Sequence, residues 1–145
     1  MTTKMNEDTR VKMAVYKPIF DKIAKVVGEH LGIDPKAVGR RDRHREYVKA
    51  RKLICYYMRE FSSCPLGIVG YMLNESIPFD HSNVCYMVKN IENEMFLKRP
   101  GGYFINEDLR NEDRKLRIHI KLLLPNIKME EWLEDFSTSS GNFFN

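Results

Sequence analysis

Residues 66–84 have the sequence LGIVGYMLNESIPFDHSNV, in which two apolar segments flank a polar turn. The first segment, 66–73, predicts a short helix, and the proline-containing stretch 74–79 predicts the connection that follows it. Asp80 is a typical N-cap residue and predicts a second helix that runs to about Leu97. Two helices joined by a turn, with polar residues at the start of the second, predict a helix-turn-helix.

Helical segments are also predicted before this motif. Apolar residues recur at helical spacing over Ile19–Leu31, and Gly32 can end that helix. Asp34-Pro35 predicts an N-cap followed by a single helical turn. Residues Glu46–Phe61 form the clearest amphipathic helix, because its apolar side chains share one face. The intervening loop, Gly39–Arg45, is too highly charged to be buried.

A further helical section follows the motif. The stretch 98–102 (KRPGG) breaks the preceding helix. Asn106 then caps a helix with apolar residues on one face, namely Leu109, Leu116, Ile120 and Leu123. Pro125 ends that helix, and a short helix is expected around Trp132 before a frayed polar tail.

These elements predict an all-α protein, a helical bundle that contains a helix-turn-helix and carries a C-terminal helical extension. Residues 1–18 are interpreted as an N-terminal helical arm, in which Pro18 interrupts or restarts a short helix. Residues 19–97 form the helix-turn-helix domain. Residues 98–145 form the C-terminal extension, whose leucine-bearing helix and Trp132 either pack on the bundle and cover its core or form a homodimer surface.

Composition narrows the class of protein. The 145 residues are 43% hydrophobic and 30% charged, which is typical of a globular chain. No apolar run reaches the ~20 residues that a membrane span needs, and the polar, acidic N-terminus is unlike a secretory signal. The cysteines Cys55, Cys64 and Cys85 have neither disulfide-framework nor zinc-ligand spacing. We therefore expect a cytoplasmic protein with no membrane, metal or cofactor.

Positive charge is concentrated in one part of the chain. Residues 36–59 contain nine Lys or Arg against two Asp or Glu, a net charge of +7, whereas the whole chain carries +4. A solvated helix face can carry such a block, but so can a binding surface for a polyanion such as a nucleic acid.

Five motifs in a fixed order refine this prediction. They are a basic loop and helix at 41–51 (RDRHREYVKAR), Arg59-Glu60, Val69-Gly70, 80–84 (DHSNV) and 88–92 (VKNIE). This order resembles the C-terminal DNA-binding domain, domain IV, of the bacterial replication initiator DnaA, a relative of the Trp repressor fold. That family has the signature D-H-[TS]-[TS]-V followed by K-x-I-E.

The resemblance implies DNA-binding roles for particular residues. Arg43 would enter the minor groove of an A·T tract, where negative potential attracts arginine. Arg51 and Lys52 would bind phosphates. In the major groove, Asp80 would accept a hydrogen bond from a base amino group and Asn83 would pair with adenine. The whole predicted set is Arg41, Arg43, Arg45, Lys49, Arg51, Lys52, Asp80, His81, Ser82 and Asn83.

The chain also departs from the family pattern. Ile77-Pro78-Phe79 stands where the family has Gly-Gly-Arg or Gly-Gly-Lys, the turn is longer, and Asn83 replaces a hydroxyl residue. The sequence contains no GxxxxGK[ST] phosphate loop, so the initiator's ATPase module is missing. We predict a stand-alone, non-enzymatic protein that binds double-stranded DNA sequence-specifically. It would act by site occupancy as a regulatory or accessory protein in replication or transcription.

Three other classes of function compete with this prediction. An enzyme is disfavoured because Asp80 and His81 are better explained as a helix cap and its neighbour than as a catalytic dyad. RNA binding is compatible with the charge, but the basic region lacks interleaved aromatics and a GXXG loop. A protein-interaction module that uses the C-terminal helices is the remaining alternative.

Overall fold

A computed structural model describes residues 6–40 and 44–124. It contains five α-helices and one short 3₁₀ helix, Pro35–Ala37. The α-helices are α1 (Glu7–Leu31), α2 (Arg45–Phe61), α3 (Leu66–Leu73), α4 (His81–Phe96) and α5 (Glu107–Leu123). The described residues contain no strand beyond one isolated antiparallel bridge, between Lys98 and Phe104. The all-α prediction is confirmed.

Helix α1 is longer than the sequence suggested. Its N-cap is Asn6, whose side chain accepts a hydrogen bond from the Thr9 amide, and the helix continues through Pro18 without ending. Proline costs a helix one backbone hydrogen bond, but Pro18 lies on an exposed face while the next two residues, Ile19 and Phe20, are buried. Packing of the neighbouring side chains offsets that cost, so the predicted interruption at Pro18 is wrong.

The core forms around α2, which packs against both α1 and α4. The middle of α2, from Leu53 to Met58, is buried on every side, and this includes the aromatic rings of Tyr56 and Tyr57. Cys55 lies in this core, and burial raises the pKa of its thiol to about 12. No disulfide joins any two of the three cysteines, all of which lie within the described residues. A central helix enclosed in this way gives the flanking helices a fixed frame.

Helix α5 completes the bundle against α1 and α4. Asn106 caps it as predicted, by accepting a hydrogen bond from the Leu109 amide. At its other end Leu124 is fully buried, whereas Leu123, which was predicted to face the core, is 42% exposed. The predicted stop at Pro125 and the helix around Trp132 lie outside the described residues. No helix of the described chain is long and apolar enough to span a bilayer.

Candidate nucleic-acid interface

The first turn of α4 presents a cluster of exposed polar side chains. Asp80 is the N-cap as predicted, and its Oδ1 accepts a hydrogen bond of 2.7 Å from the Asn83 amide. The side chains of His81, Ser82 and Asn83 are exposed and form no hydrogen bond with the rest of the described chain. The helix terminus is thus satisfied internally while three side chains remain available for an external partner.

The turn before α4 is fixed to α3 at a glycine. The amide of Phe79 donates to the carbonyl of Gly70 over 3.3 Å, and the Phe79 ring is buried. A β-carbon at Gly70 would lie 1.8 Å from the Phe79 carbonyl oxygen, so only glycine permits this approach. The position of Asp80, the next residue, is therefore set by backbone packing.

The basic loop begins against the end of α3. A β-carbon at Gly39 would lie 1.6 Å from the carbonyl oxygen of Leu73. The neighbouring Asn74 has two roles: its Nδ2 donates to the Gly39 carbonyl over 3.1 Å, and its Oδ1 accepts from the Ile77 amide over 2.9 Å. One side chain thus connects the base of the loop to the turn that leads into α4.

Arg51 makes a second connection between the same two segments. It is only 7% exposed, and its guanidinium donates to the carbonyls of Val38 and Arg40 over 3.3 and 2.5 Å. The same guanidinium lies 5.6 Å from the centre of the Phe79 ring. These contacts place the base of the basic loop and the start of α4 at the same end of the molecule.

The other predicted basic residues differ in their surroundings. Arg45 is exposed and Lys52 half-buried, and neither side chain forms a hydrogen bond or ion pair within the described ranges. The ammonium of Lys49 instead binds both carboxylate oxygens of Glu112 in α5 at 2.9 Å. Arg41 and Arg43 lie outside the described residues. A DNA contact by each of these residues, and by Arg51, stays a prediction.

Sequence reasoning missed Glu112, which joins three helices. It binds Lys49 of α2 and His30 of α1, both at 2.9 Å. Burial alone would raise the pKa of Glu112, but the hydrogen bonds from Lys49 and His30 outweigh it and lower that pKa. Nothing in the sequence pairs residues so far apart, so only the packing of α5 identifies this carboxylate.

A second cluster joins α5 to α2. Arg117 binds Asp113 and Glu60 at 3.0 and 2.9 Å, and the hydroxyl of Tyr57 donates to Asp113 over 2.7 Å. Burial would lower the pKa of Arg117, but its hydrogen bond to Glu60 and the charge of Asp113 outweigh burial and raise it. Burial and the bond to Asp113 raise the pKa of Tyr57. Since each charge is paired, this junction favours a structural role.

Sequence reasoning also missed Gly39 and Asn74. The only available signal was the position of Asn74, a residue type that favours turns, directly after an apolar helix. Within the two described ranges, no group of three His, Cys, Asp or Glu side chains is placed to hold a metal ion.

Comparisons with known proteins agree with this arrangement. Residues 20–91 match the family described as bacterial dnaA protein helix-turn-helix. Chromosomal replication initiator proteins DnaA from two strains of Chloroflexus aurantiacus are each 30% identical to the chain over 105 residues. The match covers 71% of this chain but only 19% of each relative, so the chain corresponds to about a fifth of their length. No solved structure matches the chain significantly.

Proposed function

Because residues 20–91 are a helix-turn-helix domain of the bacterial DnaA family, we propose that this chain binds double-stranded DNA sequence-specifically. The observation that carries the proposal is the position of Arg51, which contacts the base of the basic loop and Phe79 together. The base of the basic loop and the start of α4 therefore lie at one end of the bundle, as a protein that binds adjacent grooves requires.

In this proposal the first turn of α4 enters the major groove. His81, Ser82 and Asn83 are exposed there and carry the donors and acceptors that base edges require. Asp80 already accepts one hydrogen bond, from the Asn83 amide, and its second carboxylate oxygen can accept another from a base amino group. The capping bond also fixes the direction in which α4 meets the duplex.

The basic residues supply contacts with the backbone and the minor groove. Arg43, which lies in sequence between α1 and α2, is proposed to bind in the minor groove beside the major-groove site, and Arg41 is proposed to bind DNA next to it. Arg45 and Lys52, which have no partner among the described residues, are proposed to bind phosphates. Lys49 joins them only if it leaves Glu112.

The proposed mode of action is occupancy of a DNA site. The sequence contains no GxxxxGK[ST] loop, so this chain is proposed to act without binding or hydrolysing ATP. A bound domain excludes competitors from its site by mass action, whether that site lies at a replication origin or at a promoter. The role we propose is therefore regulatory or accessory in cytoplasmic replication or transcription.

Selection from a random duplex pool tests sequence specificity. We expect enrichment of one motif with the parent chain, and the variants His81→Ala and Asn83→Ala should each lose preference at particular base pairs. Each lost contact should cost about 1–3 kcal/mol on the selected site and little on other duplexes. Lys115→Gln, which changes an exposed residue of α5, is the control and should select the parent motif.

Fluorescence anisotropy at several salt concentrations tests the proposed phosphate contacts, which make DNA binding depend on salt. With about four to six phosphate contacts, log K should fall by about 0.9 per contact for each log unit of salt. Salt-independent binding would contradict the proposal. Tighter binding to single strands or to hairpin RNA than to duplex DNA would favour the RNA-binding alternative.

A further inference from the structure

We propose that Asn74 and Arg51 are positioning residues that fix the spacing between the two DNA-binding elements. They hold Gly39 and Arg40, where the basic loop begins, at one place relative to the start of α4. The minor-groove arginine and the major-groove side chains then engage the duplex at one offset in base pairs. This inference rests on the proposed function and adds to it the residues that set the register of recognition.

The tie through Asn74 is a single hydrogen bond between segments distant in sequence. Its Nδ2 donates to the carbonyl of Gly39, 35 positions earlier in the chain. Its Oδ1 is occupied separately by the Ile77 amide, so the two halves of the amide act on the loop and on the turn. The contact is close because Gly39 has no side chain to separate it from the end of α3.

The tie through Arg51 is broader and more deeply buried. One planar guanidinium donates to Val38 and Arg40, on either side of Gly39, and lies over the ring of Phe79. A lysine ammonium is compact and cannot present several donors in a plane while lying over a ring. Arg51 is therefore suited to hold the loop base and the turn together, which is a role distinct from the phosphate contact expected from sequence.

Fixing the base of the basic loop relative to α4 before DNA binds should affect the minor-groove contact more than the major-groove contacts. A loop whose base is held in place has less conformational freedom to lose when its arginine enters the minor groove than a loop whose base is released. A loop released from its base must be ordered during binding, and that cost falls on the minor-groove contact alone. Loss of either tie should therefore weaken preference for the bases flanking the site, while the bases contacted by α4 remain selected.

The variant Asn74→Asp tests the first tie. It keeps the acceptor for the Ile77 amide and removes the donor to the Gly39 carbonyl. Ser76→Asp is the matched control, because it adds the same charge at an exposed neighbouring position and leaves the tie intact. Both variants and the parent would be taken through duplex selection, followed by affinities on sites changed in the flank or in the centre.

For Asn74→Asp we expect discrimination at the flank to fall by about tenfold, a change of the size that one mismatched base pair produces. Discrimination at the centre should stay within about twofold of the parent, and Ser76→Asp should discriminate like the parent at both places. A merely structural role would lower the folded fraction, measured by urea unfolding, without changing the relative preference. That result, or an unchanged flank preference, would overturn the proposal.

Arg51→Lys tests the second tie and separates it from a phosphate contact. If Arg51 acts through the loop, the lysine variant should lose flank preference as Asn74→Asp does, with the salt dependence of the parent. Retention of the parent's flank preference would show that Arg51 contributes only charge and would overturn its positioning role. A parent chain that selects no motif would instead refute the proposed function itself, so the two failures are distinguishable.

Discussion

The start of α4 and the junction between α2 and α5 are both rich in polar and charged side chains, but they differ in what those side chains contact. At the junction, Arg117 and Asp113 have each other and further partners within the chain. At the start of α4, the side chains of His81 and Ser82 are exposed and form no hydrogen bond or ion pair within the described part of the chain. Polar character is therefore shared by both regions, whereas internal pairing distinguishes the structural region from the candidate binding surface.

Two lysines of α2 show why this distinction matters. Lys49 and Lys52 lie one helical turn apart, and sequence reasoning assigned both to DNA. The ammonium of Lys49 is bound by Glu112 at 2.9 Å, whereas Lys52 has no partner among the described residues. Charge in the sequence locates the basic region, and the packing of α5 then divides it into a structural part and an available part.

The largest effect is expected at the junction. Asp113→Ala leaves the half-buried charge of Arg117 with one fewer carboxylate and the buried Tyr57 hydroxyl without its acceptor. The free energy of unfolding should fall by about 3 kcal/mol. Urea denaturation measures this. Asp21→Ala, which removes only an exposed pair with Lys17, should cost less than about 1 kcal/mol. Equal losses in the two variants would contradict the structural interpretation of the junction.

The next effect concerns the turn that positions α4. Gly70→Ala places a methyl group where the Phe79 carbonyl lies, so the turn must move, and we expect a loss of about 2 kcal/mol in stability. Gly67→Ala, in the same helix, meets no atom within 4 Å and should stabilise the chain by about 0.5–1 kcal/mol. The midpoint of thermal unfolding should therefore fall in Gly70→Ala and rise in Gly67→Ala. If Gly67→Ala were destabilised instead, helix propensity would not determine the effect of substitution at position 67.

The fold could be predicted from sequence wherever local signals were strong. The apolar spacing of α2, the cap at Asp80 and the segment 66–73 gave helices within about one residue of those observed. Pro18 misled because local backbone chemistry predicts a break, while burial of the following residues, a tertiary effect, keeps the helix continuous. Leu123 and Leu124 show the same limit of local signals. Both are leucines at the end of α5, and only the packing of the helix decides that Leu124 is buried and Leu123 is partly exposed.

The candidate site was predictable in part. The first turn of α4 could be identified because its residue types and order carry the DNA-binding signature, and the structure places them on the surface. The ties through Asn74 and Arg51 could not be predicted. Each joins residues more than ten positions apart and depends on carbonyl groups, which every residue has. The homodimer expected through residues 98–145 stays a prediction. The apolar face of α5 packs within the chain, so that face is not free to form a dimer.

A smaller effect should separate the two lysines. Lys52→Gln should weaken duplex binding by roughly tenfold at moderate salt and reduce the salt slope by about 0.9, the value for one phosphate contact. Lys49→Gln should leave the slope unchanged and lower stability slightly, because Glu112 loses one partner. Anisotropy titrations at four or more salt concentrations measure both slopes. A reduced slope in Lys49→Gln would show that Lys49 exchanges Glu112 for DNA.

The smallest effect is a pH dependence of stability at Glu112. Its pKa is lower in the folded chain than the ordinary value of 4.5, owing to Lys49 and His30. The stabilisation that Glu112 gives the folded chain is therefore complete above about pH 4.5. It is lost as the pH falls through the lowered pKa of the folded chain, because the unfolded chain takes up the proton first. The group is partly solvated, so the loss should be below about 1 kcal/mol. Urea unfolding between about pH 6 and pH 3 should show a shallower decline for Glu112→Gln than for the parent, with exposed Glu107→Gln as the control. If the parent and Glu112→Gln declined in parallel, the ion pairs of Glu112 would contribute nothing to holding α5 on the bundle.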